Sequence, residues 1–309
     1  MIFTVTLNPA IDLVIVTKEL KPNIVNRTES FELQPNGKGV NVSFILKKLG
    51  IDNVATGIGG GFTLDYVKEG LEKQGIHTEF LKVEEPTRVN VFTRVLNEGQ
   101  EYKEVNPGPL IGKAVQSKFL KLLEEELEKE DIVVVSGSFA TGISPRFLIK
   151  IAQICEKKQS KLIIDSSYRE VLETLQYHPF LLKPNDDELA RYFNEKTPLD
   201  DKTVVRLAHK LIDKGCENVL VSLGERGAAL ITKEKAYFGN APKINVLNTA
   251  GAGDTMLGTF IGKYLINGQF DEALKWAIAA GSDTASRVGL TDFELNELIQ
   301  EIEIEERNY

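Results

Sequence analysis

Three apolar runs constrain this chain more than any other feature. Val133-Val134-Val135, Leu162-Ile163-Ile164 and Val219-Leu220-Val221 are continuous rather than alternating. A strand with one wet face alternates apolar and polar residues, whereas an unbroken apolar strand is covered on both faces, as in a parallel sheet between helix layers. Helical patterns separate the runs. A charged helix over Lys113 to Lys129 precedes a strand at Ile132 to Val135, and a helix from about Pro145 leads to a strand at Lys161 to Ile164. A strand at Phe180 to Lys183 and a helix over Asp201 to Lys214 precede the strand Asn218 to Ser222. Such alternation predicts a doubly wound α/β unit with right-handed crossovers. Its ligands belong beyond the carboxyl ends of the strands, where Ser138, Asp165, Asn185 and Ser222 fall.

The N-terminal half has another rhythm. Strands are expected at Ile2 to Leu7, Asp12 to Val16, Val25 to Leu33 and Val54 to Ile58. Helices are expected after Gly39 and over Leu64 to Gln74. Arg88 to Leu96 alternates, Asn97-Glu98-Gly99-Gln100 reads as a hairpin turn, and Glu101 to Val105 returns. Strands from about 11–34 and 87–105 therefore form a small separate sheet on a chain read as one domain, 1–309. Further short strands are expected at Ala228 to Thr232 and Ile244 to Val246. Two or three helices then run to an acidic tail, Glu294 to Glu306, read as a solvated helical surface.

One stretch carries chemistry. Asn248-Thr249-Ala250-Gly251-Ala252-Gly253-Asp254-Thr255 precedes an apolar, helix-compatible run. Glycines ahead of a helix leave backbone N–H groups unobstructed, and the helix N-terminus adds partial positive charge, so the stretch forms an anion cradle. Asp254 places a proton acceptor beside it, as phosphoryl transfer to an alcohol requires. A helix cap accounts for the same residues.

Other classes are poorly supported. The net charge of −8 argues against a nucleic-acid surface. The two cysteines, Cys155 and Cys216, suggest a reducing compartment, and the isolated histidines His77, His178 and His209 form no zinc or Ser-His-Asp arrangement. No apolar run is long enough to span a membrane, so a cytoplasmic protein is expected. Gly57 and Gly59 begin a G-x-G-x-x-G, but Phe62 stands at its third glycine. Gly37-Lys38 lacks the upstream glycine of a Walker loop.

Gly251-Ala252-Gly253-Asp254-Thr255 resembles the C-terminal signature of the PfkB (ribokinase-like) carbohydrate kinases, and Asn36-Gly37-Lys38-Gly39-Val40-Asn41 their N-terminal one. Asn8-Pro9-Ala10-Ile11-Asp12, Thr87-Arg88-Val89-Asn90-Val91 and Asn106-Pro107-Gly108-Pro109 resemble the branch that phosphorylates sugar phosphates. So do Lys183-Pro184-Asn185-Asp186-Asp187-Glu188 and Ser222-Leu223-Gly224-Glu225-Arg226-Gly227-Ala228. These segments run in family order over nearly the whole chain. The 1-phosphofructokinase and tagatose-6-phosphate kinase types are the most similar.

The resemblance implies a ribokinase-like fold: a mostly parallel sheet flanked by helices, with a small β-sheet lid that often forms a homodimer contact. It implies ATP and Mg²⁺. By match, Asp254 is the base, and Gly251, Ala252 and Gly253 supply N–H groups to the transferring phosphoryl. Asp12, Gly37, Asn41, Asn90 and Ser138 fall to the sugar, and Arg88 to its existing phosphate, with Arg27, Lys38 and Lys103 as further cations. Lys183, Asn185, Ser222, Gly224, Gly227, Thr249 and Ser282 fall to the nucleotide, beside a small-residue face at Ala277, Ala279, Ala280 and Gly281. Asn185 and Glu188 would order the metal through water. The implied reaction converts fructose 1-phosphate to fructose 1,6-bisphosphate. Tagatose 6-phosphate, giving tagatose 1,6-bisphosphate, is the second reading. A non-catalytic sugar-phosphate sensor is the reading of another class, and it has no need of a base at Asp254.

Two departures bear on the sugar. Asn36 replaces the first glycine of G-G-K-G, where its tolerance of left-handed backbone would preserve the turn. Ser138-Phe139-Ala140-Thr141-Gly142 replaces a proline-containing G-S-L-P-x-G segment.

Overall fold

A computed structural model describes residues 1–308. The first half contains β1 (Ile2–Thr6), β2 (Ala10–Thr17), β3 (Ser30–Asn36), α1 (Lys38–Lys48), β4 (Val54–Gly60), α2 (Gly61–Lys73), β5 (His77–Val83), β6 (Arg88–Val95), β7 (Gln100–Glu104) and α3 (Lys113–Glu126). Then follow β8 (Ile132–Ser136), α4 (Phe147–Lys158), β9 (Lys161–Asp165), α5 (Val171–Thr174), β10 (Leu181–Leu182), α6 (Asp186–Tyr192), α7 (Asp201–Ile212) and β11 (Asn218–Ser222). The chain closes with β12 (Ala228–Ile231), β13 (Lys235–Gly239), α8 (Ala252–Asn267), α9 (Phe270–Ser286), α10 (Asn296–Gln300) and β14 (Ile304–Asn308).

Ten strands form one sheet in the order β14-β13-β12-β11-β10-β9-β8-β1-β4-β5. From β5 to β11 neighbours pair parallel; β12, β13 and β14 continue it antiparallel. The apolar runs explain the layering. Val133 and Val135 of β8 enter one core with Phe119, Phe147, Leu148 and Leu207, while Val134 enters another with Val42, Leu257, Phe260 and Leu274. Successive strand residues point to opposite faces, so each run covers both cores at once.

Asn8-Pro9 diverts the chain out of this sheet directly after β1. The small sheet that follows has the order β3-β2-β6-β7, with β2 parallel to β6. Its strands lie where the sequence indicates, although β3 begins later than Val25. Phe31 is 69% exposed and Leu33 39%, so this sheet presents apolar side chains to solvent.

Several expectations need correction. Ile244 to Val246 is not a strand; Val246 is 64% exposed and the segment is a connecting loop. β13 pairs with β12 instead, and the acidic tail ends in the edge strand β14, paired antiparallel to β13, rather than in helix. Helix over 294–306 is confined to the five residues of α10. The strand β5 was also unforeseen. Its polar, half-exposed HTEFLKV suits a sheet edge, where charge discourages further pairing.

Candidate functional site

The carboxyl ends of β1, β8 and β9 and the N-termini of α1 and α8 converge. Close packing makes this possible: a Cβ at Gly39 would lie 2.4 Å from Thr6 Oγ1 and 2.9 Å from the Val5 carbonyl, so only glycine lets α1 approach β1 this closely. Gly37 precedes that helix at φ 138°, a conformation costly for other residues. Asn36 is not the left-handed residue; it ends β3 opposite Ala10.

Gly251 begins α8 at φ 79°, and Asp254 follows in its first turn, 5% exposed. Asn41, on α1, donates from Nδ2 to Asp254 Oδ2 at 2.8 Å. Burial pushes the Asp254 carboxyl above its ordinary value, with Lys38 opposing and Asp165 reinforcing the rise. Lys38 Nζ stands 4.0 Å from Asp254 and 3.2 Å from both oxygens of Asp165. Lys183 Nζ reaches Asp165 at 3.5 Å from the other side. A Cβ at Gly253 would lie 3.4 Å from Lys183 Nζ, so the glycine start of α8 faces this ammonium group. Burial alone would raise Asp165, but Lys183 and Lys38 outweigh it and hold the carboxyl below the ordinary range. The result is a glycine-led helix N-terminus suited to an anion, with two lysines beside it and a buried carboxylate within it.

A second cluster forms on the small sheet. Asp12 is 5% exposed; Asn90 donates to its Oδ1 at 2.8 Å and Asn36 donates to its Oδ2. Burial raises its carboxyl above the usual value, against the pull of Asn90, Asn36 and Arg88. Asn41 also donates to Asn36 Oδ1 at 3.1 Å, so one chain of amides joins Asp12 to Asp254. Arg88 starts β6 and donates to the carbonyls of Asn8 and Asn106 at 3.2 and 3.3 Å, while its Nε is buried without a partner. Asn8 Nδ2 donates to the exposed Ser138 at 3.2 Å. Asp12, Asn36, Asn41 and Gly251 line one cavity of about 860 Å³ between the small sheet, α1, α2 and the start of α8.

Other expected site residues do not line this cavity. Lys38 faces Asp165 and Asp254. Arg27 is exposed in the loop beyond the far end of β2 and β3 from Asp12. Lys103 donates to Asn248 Oδ1 at 3.5 Å, linking the small sheet to the loop before α8. Thr249 is exposed in that same loop. Ser222, Gly224 and Gly227 sit at the end of β11, and Asn185 is bridged to Ser222. Ser282 lies on α9, half-buried, one residue after Gly281, which packs near the Ala252 carbonyl. Asn185 and Glu188 form a capping box on α6: each side chain accepts from the other's backbone N–H, at 2.7 and 3.0 Å. Among the described residues no cluster of three acidic, His or Cys side chains could chelate a metal. Asp165 is the residue sequence reasoning left without a role. Its only signal was its place after a strand.

A doubly wound sheet carrying an anion cradle, two lysines and a buried carboxylate defines a phosphotransferase that acts on a hydroxyl acceptor. The model of the pfkB family carbohydrate kinases matches residues 4–296. The chain belongs to that family. It is 40% identical over 305 residues to a D-tagatose-1-phosphate kinase of Bacillus licheniformis, covering 98% of this chain and 99% of the relative. It is 33% identical to a 1-phosphofructokinase of Bacillus subtilis, covering 98% and 99%. The structure of Escherichia coli phosphofructokinase-2 in complex with fructose-6-phosphate superposes with a TM-score of 0.87 at 26% identity, covering 97% of this chain and 98% of that one.

Proposed function

We propose that this protein transfers the γ-phosphoryl of ATP to the O6 hydroxyl of a ketohexose 1-phosphate. Fructose 1-phosphate would yield fructose 1,6-bisphosphate. The observation that carries the reading is the amide chain from Asp12 through Asn36 and Asn41 to Asp254. It ties a sugar grip to a base, whereas a sensor needs only the grip. In the proposed step the Asp254 carboxylate accepts the O6 proton as O6 forms a bond to the γ-phosphorus and the bond to the β–γ bridging oxygen breaks, releasing ADP. The backbone N–H groups at Gly251 to Gly253, with Lys183, hold the phosphoryl oxygens. Arg88, whose guanidinium holds the Asn8 and Asn106 carbonyls and whose Nε has no partner among the described residues, is assigned to the sugar's own phosphate.

Magnesium fits this donor set only in its usual hydrated manner, with few protein ligands. Asn185 and Glu188 would hold its water shell, and the ion would neutralise charge on the nucleotide phosphates. Tagatose 1-phosphate is the other ketohexose 1-phosphate of this class, and the 40% identity to a kinase of that name favours it over fructose 1-phosphate. The small sheet acts as a lid in this proposal, and its exposed Phe31 and Leu33 form a homodimer contact.

The test is Asp254→Asn, assayed by ADP release and by sugar-phosphate binding. We expect kcat to fall roughly 10²- to 10⁴-fold with little change in binding. Near-normal turnover would refute the assignment.

A further inference from the structure

The residue that breaks the family signature sits inside the sugar grip. Asn36 Oδ1 accepts from Gly37 N at 2.5 Å and from Asn41 Nδ2 at 3.1 Å, which occupies both of its lone pairs. Its Nδ2 donates one hydrogen to Asp12 Oδ2. Reversing the amide would set its NH₂ against two donors and its carbonyl against a carboxylate, so the network fixes one orientation. The second Nδ2 hydrogen meets no acceptor among the described residues, and Asn36 lines the large cavity. The site thus holds a fixed N–H beside the free lone pairs of Asp12. Glycine at this position provides no such N–H.

Asn36 is one side chain from the base, because Asn41 donates to both Asn36 and Asp254. In a ketohexofuranose with O6 at Asp254, O5 closes the ring, and O4 is the free hydroxyl nearest to C6. Fructose and tagatose differ only at C4. In the tagatofuranose ring O3, O4 and C6 share one face; in fructofuranose O4 lies on the opposite face. A carboxylate and amide held side by side meet O3 and O4 together from one face of the ring only when the two are cis. A trans O4 leaves the Asn36 donor unmatched inside the cavity, and an unmatched buried donor is costly.

We propose that Asn36 is a specificity-determining residue that selects the C4 configuration of tagatose in a ketohexose 1-phosphate. This rests on the O6-kinase reading above. The test compares kcat/KM for D-tagatose 1-phosphate and D-fructose 1-phosphate in the wild type, Asn36→Gly and Asn36→Ala. The wild type should favour the tagatose sugar. Both variants should lower the tagatose-to-fructose ratio about tenfold or more, as expected for loss of a hydroxyl-reading group. An unchanged ratio, with both sugars losing together, would make Asn36 only a prop for Asp12 and overturn the proposal. So would a wild type that prefers fructose 1-phosphate. A wild type that turns over neither sugar refutes the kinase reading itself, a different result from an active enzyme with an unmoved ratio.

Discussion

Replacing Lys38 by methionine should move the acid limb of the pH–rate profile upward. Lys38 Nζ lies 4.0 Å from Asp254 Oδ1. A unit charge pair at that distance is worth about 4 kcal/mol at an effective dielectric near 20 and about 1 kcal/mol in water. The Lys38 side chain is 43% exposed, so screening places the interaction in the lower half of that range, about 1–2 kcal/mol. At about 1.4 kcal/mol per pH unit, Lys38→Met should move the midpoint of the acid limb upward by about one pH unit. The sign is fixed: the base must be ionised, burial already lifts its carboxyl, and removing the cation lifts it further. The assay is initial ADP release at saturating sugar phosphate from about pH 5 to 9, fitted for the limb's midpoint separately from the plateau. A lower plateau reports any lost contact to the phosphoryl group; only the midpoint reports the pairing. A midpoint that stays in place, or moves to lower pH, would refute the reasoning.

Three further outcomes follow from the geometry. Arg88→Ala should raise KM for the sugar phosphate roughly 10- to 100-fold, the worth of a hydrogen bond to a charged group; steady-state kinetics showing an unchanged KM would remove Arg88 from the phosphate site. Asp165→Asn leaves Lys183, 4% exposed, without its counter-charge, and should cost about 3–5 kcal/mol in urea unfolding at neutral pH. Because the Asp165 carboxyl is depressed, its contribution is present above its ordinary value of 3.8 and is lost as pH falls through the folded-state value, so the variant should lack that acid-side loss of stability. Phe31→Lys charges the exposed face of the small sheet; light scattering should show the wild type at twice the chain mass and the variant at the single-chain mass, and a wild type already at the single-chain mass would exclude the dimer.

The interior of the sheet was legible because burial on both faces leaves only apolar residues in β8, β9 and β11. Its edges were not. β5 and β14 carry His77, Lys82 and Glu305 exposed, and such sequences read as loops until a neighbour pairs with them. The site divides in the same way. The glycines around Asp254 announce themselves locally because backbone conformation demands them. Asp165 does not, because its role depends on two lysines from distant segments, one 127 residues away. Lys38 was legible as a cation near the sugar, but only the packing of α1 on β1 shows that it faces the two buried carboxylates. The capping box at Asn185 and Glu188 stabilises α6 whatever else those side chains bind, so sequence alone does not separate the two uses.

The parallel pairing of β2 with β6 has a consequence for how the molecule assembles. Asp12 and Asn90 meet across 78 residues of chain. Between them lie β3, α1, β4, α2 and β5. Closing so long a loop is entropically unfavourable until the intervening units have condensed, so the small sheet should join late in folding and open first in native-state fluctuations. Asp254 rides on α8, packed against α9 and α1, whereas Asp12 and Asn90 ride on the last piece to dock. A bound sugar phosphate would then act as a clasp across the seam, and amide exchange in β2 and β6 should slow on binding more than exchange in β8 or β9.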